Sequence, residues 1–378
     1  MPQGIQNEYK MTEPISAGPI RHLYLHVPFC ARICPYCAFY VHRGGAEAQR
    51  QFVGALVGEI GAARARFDLR PETIYLGGGT PSLLAPELVG ELFAALPPGA
   101  REVTIEVNPA TVTEAKAAAW RAAGINRISL GAQSFDAAYL KTLGRDHTPE
   151  EIGETVALLR AHGFANIGID LMYALPGQPE AVWTETLRRA LLLKPDHVSS
   201  YGLTYEEDTP FFERLKAGEW KTDEAGEIAM FERTFETLAE AGLPFYELSN
   251  FARPGCESVH NRAYWNGNDY LGLGPSAYST VGALRWHNFR DTARYVEAIG
   301  RGESVIGERE DLSPEIRQRE RILFGLRRRE GIARELLAGQ EEAVGQALET
   351  GMAEWHGDRL RLTRRGRLVA DSVAGLFA

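Results

Sequence analysis

From residue 22 onward the chain alternates two patterns. Short runs of β-branched and apolar residues, over 22–27, 73–76, 103–107, 127–130, 166–171 and 197–201, read as strands. Between and after them lie stretches whose apolar positions recur every three to four residues, over 49–67, 114–123, 150–162, 180–193 and 224–241. These read as amphipathic helices. Strands separated by helices of this length predict a parallel sheet with helical crossovers, because a hairpin turn cannot reach a parallel neighbour. The expected fold class is α/β, a parallel, partial β/α barrel. Periodicity alone does not separate that from an open, doubly wound sheet.

Past residue 298 the pattern changes. Residues 312–329 read as a charged amphipathic helix with Ser313 and Pro314 near its start, and 335–353 carry further helical signal. Residues 354–362 read as a hairpin turning at Gly357 and Asp358, followed by a last helix over 363–377 that is basic at its start. The expected organisation is a loose, polar N-terminal tail over 1–20, a barrel domain over 21–298 and a small helical, winged domain over 299–378.

A winged helix can serve DNA binding, but the charge argues against it. Forty-one Lys+Arg against fifty Asp+Glu give a net charge of −9, whereas a nucleic-acid binder needs a basic surface to displace counterions. With 44% hydrophobic and 24% charged residues the composition is that of a globular protein. No apolar run reaches about 18 residues, so no membrane span is expected, and peripheral membrane contact stays open. The first residues lack the apolar core of a signal peptide, which makes the expected compartment cytoplasmic. Four cysteines are too few for a disulfide scaffold.

Three of those cysteines form C-x3-C-x2-C: Cys30, Cys34 and Cys37. The motif follows the first strand, at the end where barrel sites are built. Structural zinc takes four ligands, often as paired C-x2-C units. A cubane iron–sulfur cluster normally takes four cysteines as well. Three would leave one iron open to a chelating ligand; zinc completed by a nearby histidine is the competing reading. Gly77, Gly78, Gly79 and Thr80 follow the second strand. No G-K-[ST] follows them, so this is no phosphate P-loop, and a tight turn explains the run equally well. Glu106, Gln133, Arg145 and Asp170 fall at or after successive strands. Each alone is an ordinary polar group. Together they put polar groups at one end of consecutive strands, as barrel sites do.

The cysteine spacing after a strand resembles the signature of the radical S-adenosylmethionine (SAM) superfamily. LYLHVPFCARICPYC, YLGGGTPS, IEVNP, GAQSF, LGRDH, GIDLMYALPGQ and LTRRGRLVAD resemble its HemN/HemW branch, over about residues 21–377. The resemblance implies a [4Fe–4S] cluster on Cys30, Cys34 and Cys37, and SAM chelated through its amino and carboxylate groups to the open iron. It also implies an electron from the cluster that can split the sulfonium. SAM contacts would fall on Tyr24, Tyr36, Gly78, Gly79, Thr80, Glu106, Gln133, Arg145 and Asp170. His26, in the family's H-x-P-F-C stretch, would either touch the site or pack the strand.

Two activities share this branch: an oxygen-independent coproporphyrinogen III oxidase, and a haem chaperone that passes haem to acceptor proteins. The oxidase has a fourth cysteine where this chain has Phe39, and a longer segment than the 29 residues that precede Cys30 here. H-N-R-A-Y-W over 260–265 is similar to the chaperone's H-N-x-x-Y-W. Imidazole is a common haem-iron ligand, and Tyr264 and Trp265 could stack on a macrocycle. The resemblance thus implies haem binding with His260 as candidate ligand; a structural loop histidine is the alternative. Cys256 is a second candidate ligand or a small buried residue. Ala38 departs from the acidic residue common after the third cysteine. A radical SAM methyltransferase is a third reading that no motif here favours.

Overall fold

The computed structural model describes residues 18–377. The expected N-terminal tail lies almost wholly outside the described residues. Six strands follow the expected order: β1 (Ile20–Val27), β2 (Leu69–Gly78), β3 (Glu102–Val107), β4 (Arg127–Gln133), β5 (Asn166–Tyr173) and β6 (His197–Gly202). Each pairs in parallel with its predecessor. The crossovers carry α1 (Ala46–Arg66), α2 (Pro86–Ala95), α3 (Glu114–Ala122), α4 (Ala137–Thr142), α5 (Pro149–Ala161) and α6 (Glu180–Leu192).

The strand order runs sequentially from β1 to β6. That is barrel winding; a doubly wound sheet reverses direction at a switch point. After α7 (Pro210–Lys216) and α8 (Glu224–Glu240), β7 (Phe245–Glu247) and β8 (Asn250–Ala252) add antiparallel beyond β6. Next comes α9 (Val259–Trp265), and then β9 (Leu271–Leu273), which pairs in parallel with β1 at the other edge. The two terminal strands of this nine-stranded sheet, β7 and β9, do not pair, so the barrel stays open.

Local chemistry sets the element ends. Thr148 and Glu151 form a reciprocal capping box at the start of α5, with Pro149 in its first turn. Helix α1 begins at Ala46, earlier than the pattern indicated, and buries Phe52, Leu56 and Ile60 on one face. Leu23, Leu25, Leu76, Ile105, Ile128, Ile167, Ile169 and Val198 are fully buried in the sheet. Each contributes about 1.5–3 kcal/mol by leaving water.

The C-terminal region departs from expectation in detail. The strand Ile306–Asp311 pairs antiparallel with Leu284–Asn288, which pairs with Tyr278–Val281. Residue 299, where the pattern placed a domain boundary, falls inside the helix Thr292–Gly300. A second apolar core gathers Ile322, Leu326, Ile332, Ala347, Leu360 and Phe377, with Leu248 from the first unit. The helix expected over 312–329 is Pro314–Arg327, because the Ser313 hydroxyl caps the Ile316 amide. The signal over 335–353 divides into a short 3-10 turn, Arg334–Leu337, and the helix Glu341–Glu349, separated by Gly339 at φ 82°. The hairpin Ala353–His356 and Arg359–Leu362 turns at Gly357 (φ 63°) and gains a third strand, Ile332–Ala333. The last helix breaks at Val369 into Arg364–Leu368 and Ala370–Gly375. Among the described residues no helix is long and apolar enough to cross a membrane.

Candidate functional site

The loop over 30–37 hangs off the C-terminal end of β1. Its base is closed where the Cys30 amide donates to the His42 carbonyl (3.0 Å) and the His42 amide to the Pro28 carbonyl (2.8 Å). The Phe211 amide at the start of α7 donates to the Pro35 carbonyl (3.1 Å). Pro35 also packs on Gly144 (φ 69°), where an added Cβ would stand 2.8 Å from the proline ring. That glycine of LGRDH lets the loop come this close.

Cys30, Cys34 and Cys37 line one cavity of about 530 Å3. The Thr80 hydroxyl donates to Cys30 Sγ (3.5 Å) and Arg145 Nη1 to Cys34 Sγ (3.6 Å). Burial raises the Cys30 thiol and pushes Cys37 up to about 11. Such thiols ionise at neutral pH only beside a strong positive centre, which a bound metal supplies. Among the described residues no three Cys, His, Asp or Glu side chains converge as ligands of one metal ion. A single zinc ion needs ligands about 2.0–2.3 Å from one point, whereas a cluster spreads its thiolates over separate irons. Cys256 does not line this cavity.

The glycine loop after β2 forms a second wall. Gly78 has φ 107°, and a Cβ there would meet the His26 ring at 2.5 Å. His26 cannot yield easily: its Nε2 bonds the Tyr40 carbonyl (2.9 Å), and its Nδ1 the Tyr24 hydroxyl (3.0 Å). Nε2 must be the donor to a carbonyl, so Nδ1 accepts, and burial lowers the imidazole pKa, consistent with the neutral ring. A Cβ at Gly79 would meet the Phe29 carbonyl at 2.7 Å. Glu106 braces this loop from β3, accepting from Tyr75 Oη (2.9 Å) and the Gly78 amide (3.0 Å). Burial raises the Glu106 carboxyl to about 7; the Tyr75 bond opposes this and Asp170 adds to it.

Strand β4 supplies the third wall. Arg127, Ser129, Gly131 and Gln133, at alternate positions, all face the cavity. Gln133 sits at φ 66°, an uncommon left-handed conformation for a residue with a side chain. Arg145 Nη2 donates to the Gly131 carbonyl (2.9 Å), while its buried Nε has no protein partner. Asp170 accepts from the Ser129 hydroxyl (2.9 and 3.1 Å), and burial raises its carboxyl.

Of the residues expected around SAM, the fold brings Tyr36, Gly78, Gly79, Thr80, Glu106, Gln133, Arg145 and Asp170 to the wall that holds the cysteines. Tyr24 is not on that wall. It stacks on Tyr75 (6.2 Å between centroids) and holds His26, and His26 in turn ties β1 to the end of the cysteine loop. Tyr75, Arg127, Ser129, Ser199 and Tyr201, none of them among the expected residues, line the same wall. Period-two alternation back from Gln133 and Gly77 would have found the first three.

His260 does not line that cavity. It is 1% exposed, at the start of α9. Its Nδ1 meets the Thr73 hydroxyl (2.7 Å) and its Nε2 the Tyr264 hydroxyl (2.9 Å). Tyr75 stacks on the ring at 5.2 Å, and Glu102 accepts from the His260 amide (2.9 Å). Burial drops the imidazole pKa to about 3. Both ring nitrogens are engaged, so this arrangement offers no free nitrogen to haem iron. Trp265 points away, against Phe324 (5.8 Å), and does not form a platform with Tyr264. Of this motif, Asn261 reaches the cavity wall.

Residues 24–190 match the radical SAM superfamily. The protein named heme chaperone HemW in Mycobacterium tuberculosis is 36% identical over 364 residues, which cover 93% of each chain. The chain belongs to the HemW family. HemW of Escherichia coli K12 is 32% identical over 381 residues, covering 95% of this chain and 98% of its own. The solved coproporphyrinogen III oxidase (HemN) of Escherichia coli superposes with a TM-score of 0.84, over 96% of this chain and 91% of its own, at 22% identity. That likeness speaks for the fold alone. In this HemW-family chain Phe39 stands 71% exposed at the cavity wall, two residues past the third cysteine.

Proposed function

We propose that this chain is a cytoplasmic haem chaperone: it carries a [4Fe–4S] cluster on Cys30, Cys34 and Cys37, binds SAM beside it, and passes haem to acceptor proteins. The observation that carries the cofactor reading is the single cavity. It gathers three half-buried thiols, a positive-φ glycine loop, and the side chains of Glu106, Gln133, Arg145 and Asp170. When bound, the cluster supplies an iron open to chelation and an electron.

The protein's own groups then have distinct tasks. Gly78 and Gly79 let the backbone approach the ligand closely. Glu106, Gln133 and Asp170 offer hydrogen bonds to amino, ribose and carboxylate groups. Arg145, with a spare Nε and with Nη1 on Cys34 Sγ, offsets the negative charge that gathers on the sulfurs. The chaperone reading is supported by the HemW relatives that match almost end to end. The non-ligating Phe39, where the oxidase has its fourth cysteine, supports it further. The haem contact is not assigned to His260, whose ring is committed inside the fold.

Anaerobic reconstitution of the full chain tests this. The expected outcome is iron and sulfide in cubane ratio, saturable haem uptake, and coproporphyrinogen recovered unchanged. Turnover of coproporphyrinogen would move the assignment to the oxidase. Zinc without sulfide would reduce the site to a structural one. Cys34→Ser should lose iron and sulfide to background while keeping its far-UV circular dichroism.

A further inference from the structure

Arg127 stands at the first position of β4 and is 1% exposed. It lines the cavity, yet its Nε and Nη2 have no hydrogen-bond partner. No carboxylate among the described residues lies within ion-pair distance of it. Asp170, the nearby acid that feels its charge, has its carboxylate bonded to Ser129 and Ser199.

A guanidinium withdrawn from water without a partner opposes folding. By contrast, Arg145 on the same wall is engaged with Cys34 and Gly131. The alternation Arg127, Ser129, Gly131, Gln133 runs the length of the strand. At about 3.3 Å per residue, the Arg127 backbone lies roughly 20 Å from that of Gln133. Cys30, Cys34, Cys37 and Arg145 occupy the mouth of the barrel, and Arg127, at the first position of β4, stands toward its floor. Its fork of donors matches a carboxylate in bidentate geometry.

We propose that Arg127 anchors a carboxylate of a ligand reaching toward the floor of the barrel, apart from the cysteine mouth. This deepens the cofactor reading above and rests on it for the assignment of the mouth. The carboxylate has two chemical sources: a propionate of a porphyrin, or the amino-acid end of a SAM molecule other than the one bound at the cysteine mouth.

The test compares wild type, Arg127→Gln and Arg127→Lys, each reconstituted anaerobically with iron and sulfide content recorded. Binding is measured by equilibrium dialysis of SAM and by titration of iron protoporphyrin IX and its dimethyl ester. Arg127→Gln should lose about tenfold or more in affinity for one carboxylate probe. Loss for the porphyrin, matched in wild type by esterification and absent between acid and ester in the variant, identifies a propionate. Loss for SAM alone identifies the amino-acid carboxylate. Arg127→Lys, with charge but no fork, should fall between. Because the guanidinium lacks a protein partner, thermal midpoints of the ligand-free variants should match or exceed wild type. Unchanged affinity for both probes overturns the proposal. So does a midpoint that falls in both variants, or failure of both to fold, since the arginine would then be structural. Missing iron and sulfide in the wild type would instead count against the cofactor reading, while the porphyrin arm still reports on Arg127.

Discussion

Gly78→Ala isolates how the glycine loop holds its ligand side. The residue would have to keep φ 107° with a side chain, at about 1–3 kcal/mol. Its Cβ would lie 2.5 Å from His26 Cε1, so the imidazole must move. Moving it breaks the bonds to Tyr40 and Tyr24, each worth about 1 kcal/mol. The sum is about 3–5 kcal/mol, a large fraction of the roughly 5–15 kcal/mol that holds a native protein together. Relief by backbone movement would instead displace the amide that Glu106 accepts from. Urea unfolding should show the loss. Equilibrium dialysis should show SAM affinity reduced more than tenfold, with iron and sulfide retained, because the cysteine loop is closed by its own bonds at His42. In the double variant with His26→Ala, the clash disappears and the backbone strain stays, so the two costs should add to less than their sum by about 1–2 kcal/mol. Wild-type stability and SAM affinity in Gly78→Ala would refute the account.

Glu106 makes stability pH-dependent in a defined direction. Its folded carboxyl titrates near 7, mainly through burial, against 4.5 for the free group. Between those values the folded chain holds a proton that the unfolded chain has released, so stability falls as pH rises from about 4.5 to 7, by at most roughly 3 kcal/mol. Comparing urea midpoints of SAM-free wild type and Glu106→Gln across that window should show the variant gaining relative stability; parallel curves would contradict the buried carboxyl. His260→Ala removes a ring with two hydrogen bonds and a stacked Tyr75, and should destabilise by about 2–4 kcal/mol without loss of cluster. A variant as stable as wild type would show that the ring is free in solution.

Much of the site was legible because a parallel sheet collects all strand C-termini on one edge. Once 22–27, 73–76, 103–107, 127–130 and 166–171 were recognised as strands, Cys30, Gly78, Glu106, Gln133 and Asp170 were bound to share that edge. The cysteine spacing and the capping signal T-P-E-E at α5 are likewise local and survive without tertiary knowledge.

What the pattern could not carry was choice of partner across the chain. His260 reads as a loop histidine before two aromatics; its burial is decided by Thr73, 187 residues away, and by Glu102 on a neighbouring strand. Arg127 reads as an ordinary strand-end charge, and only the closed wall around it makes it a buried one without a partner. The C-terminal helical signal divides at Gly339, which takes φ 82°, and at Val369, which caps both flanking helices, where periodicity alone predicts continuous helices. Backbone periodicity and short-range chemistry already dictate the six parallel strands, the helices between them and the edge that bears the cysteines. Tertiary structure decided the open sheet, the burial of His260 and the isolation of Arg127, because burial and pairing are properties of the whole enclosure and not of any segment in it.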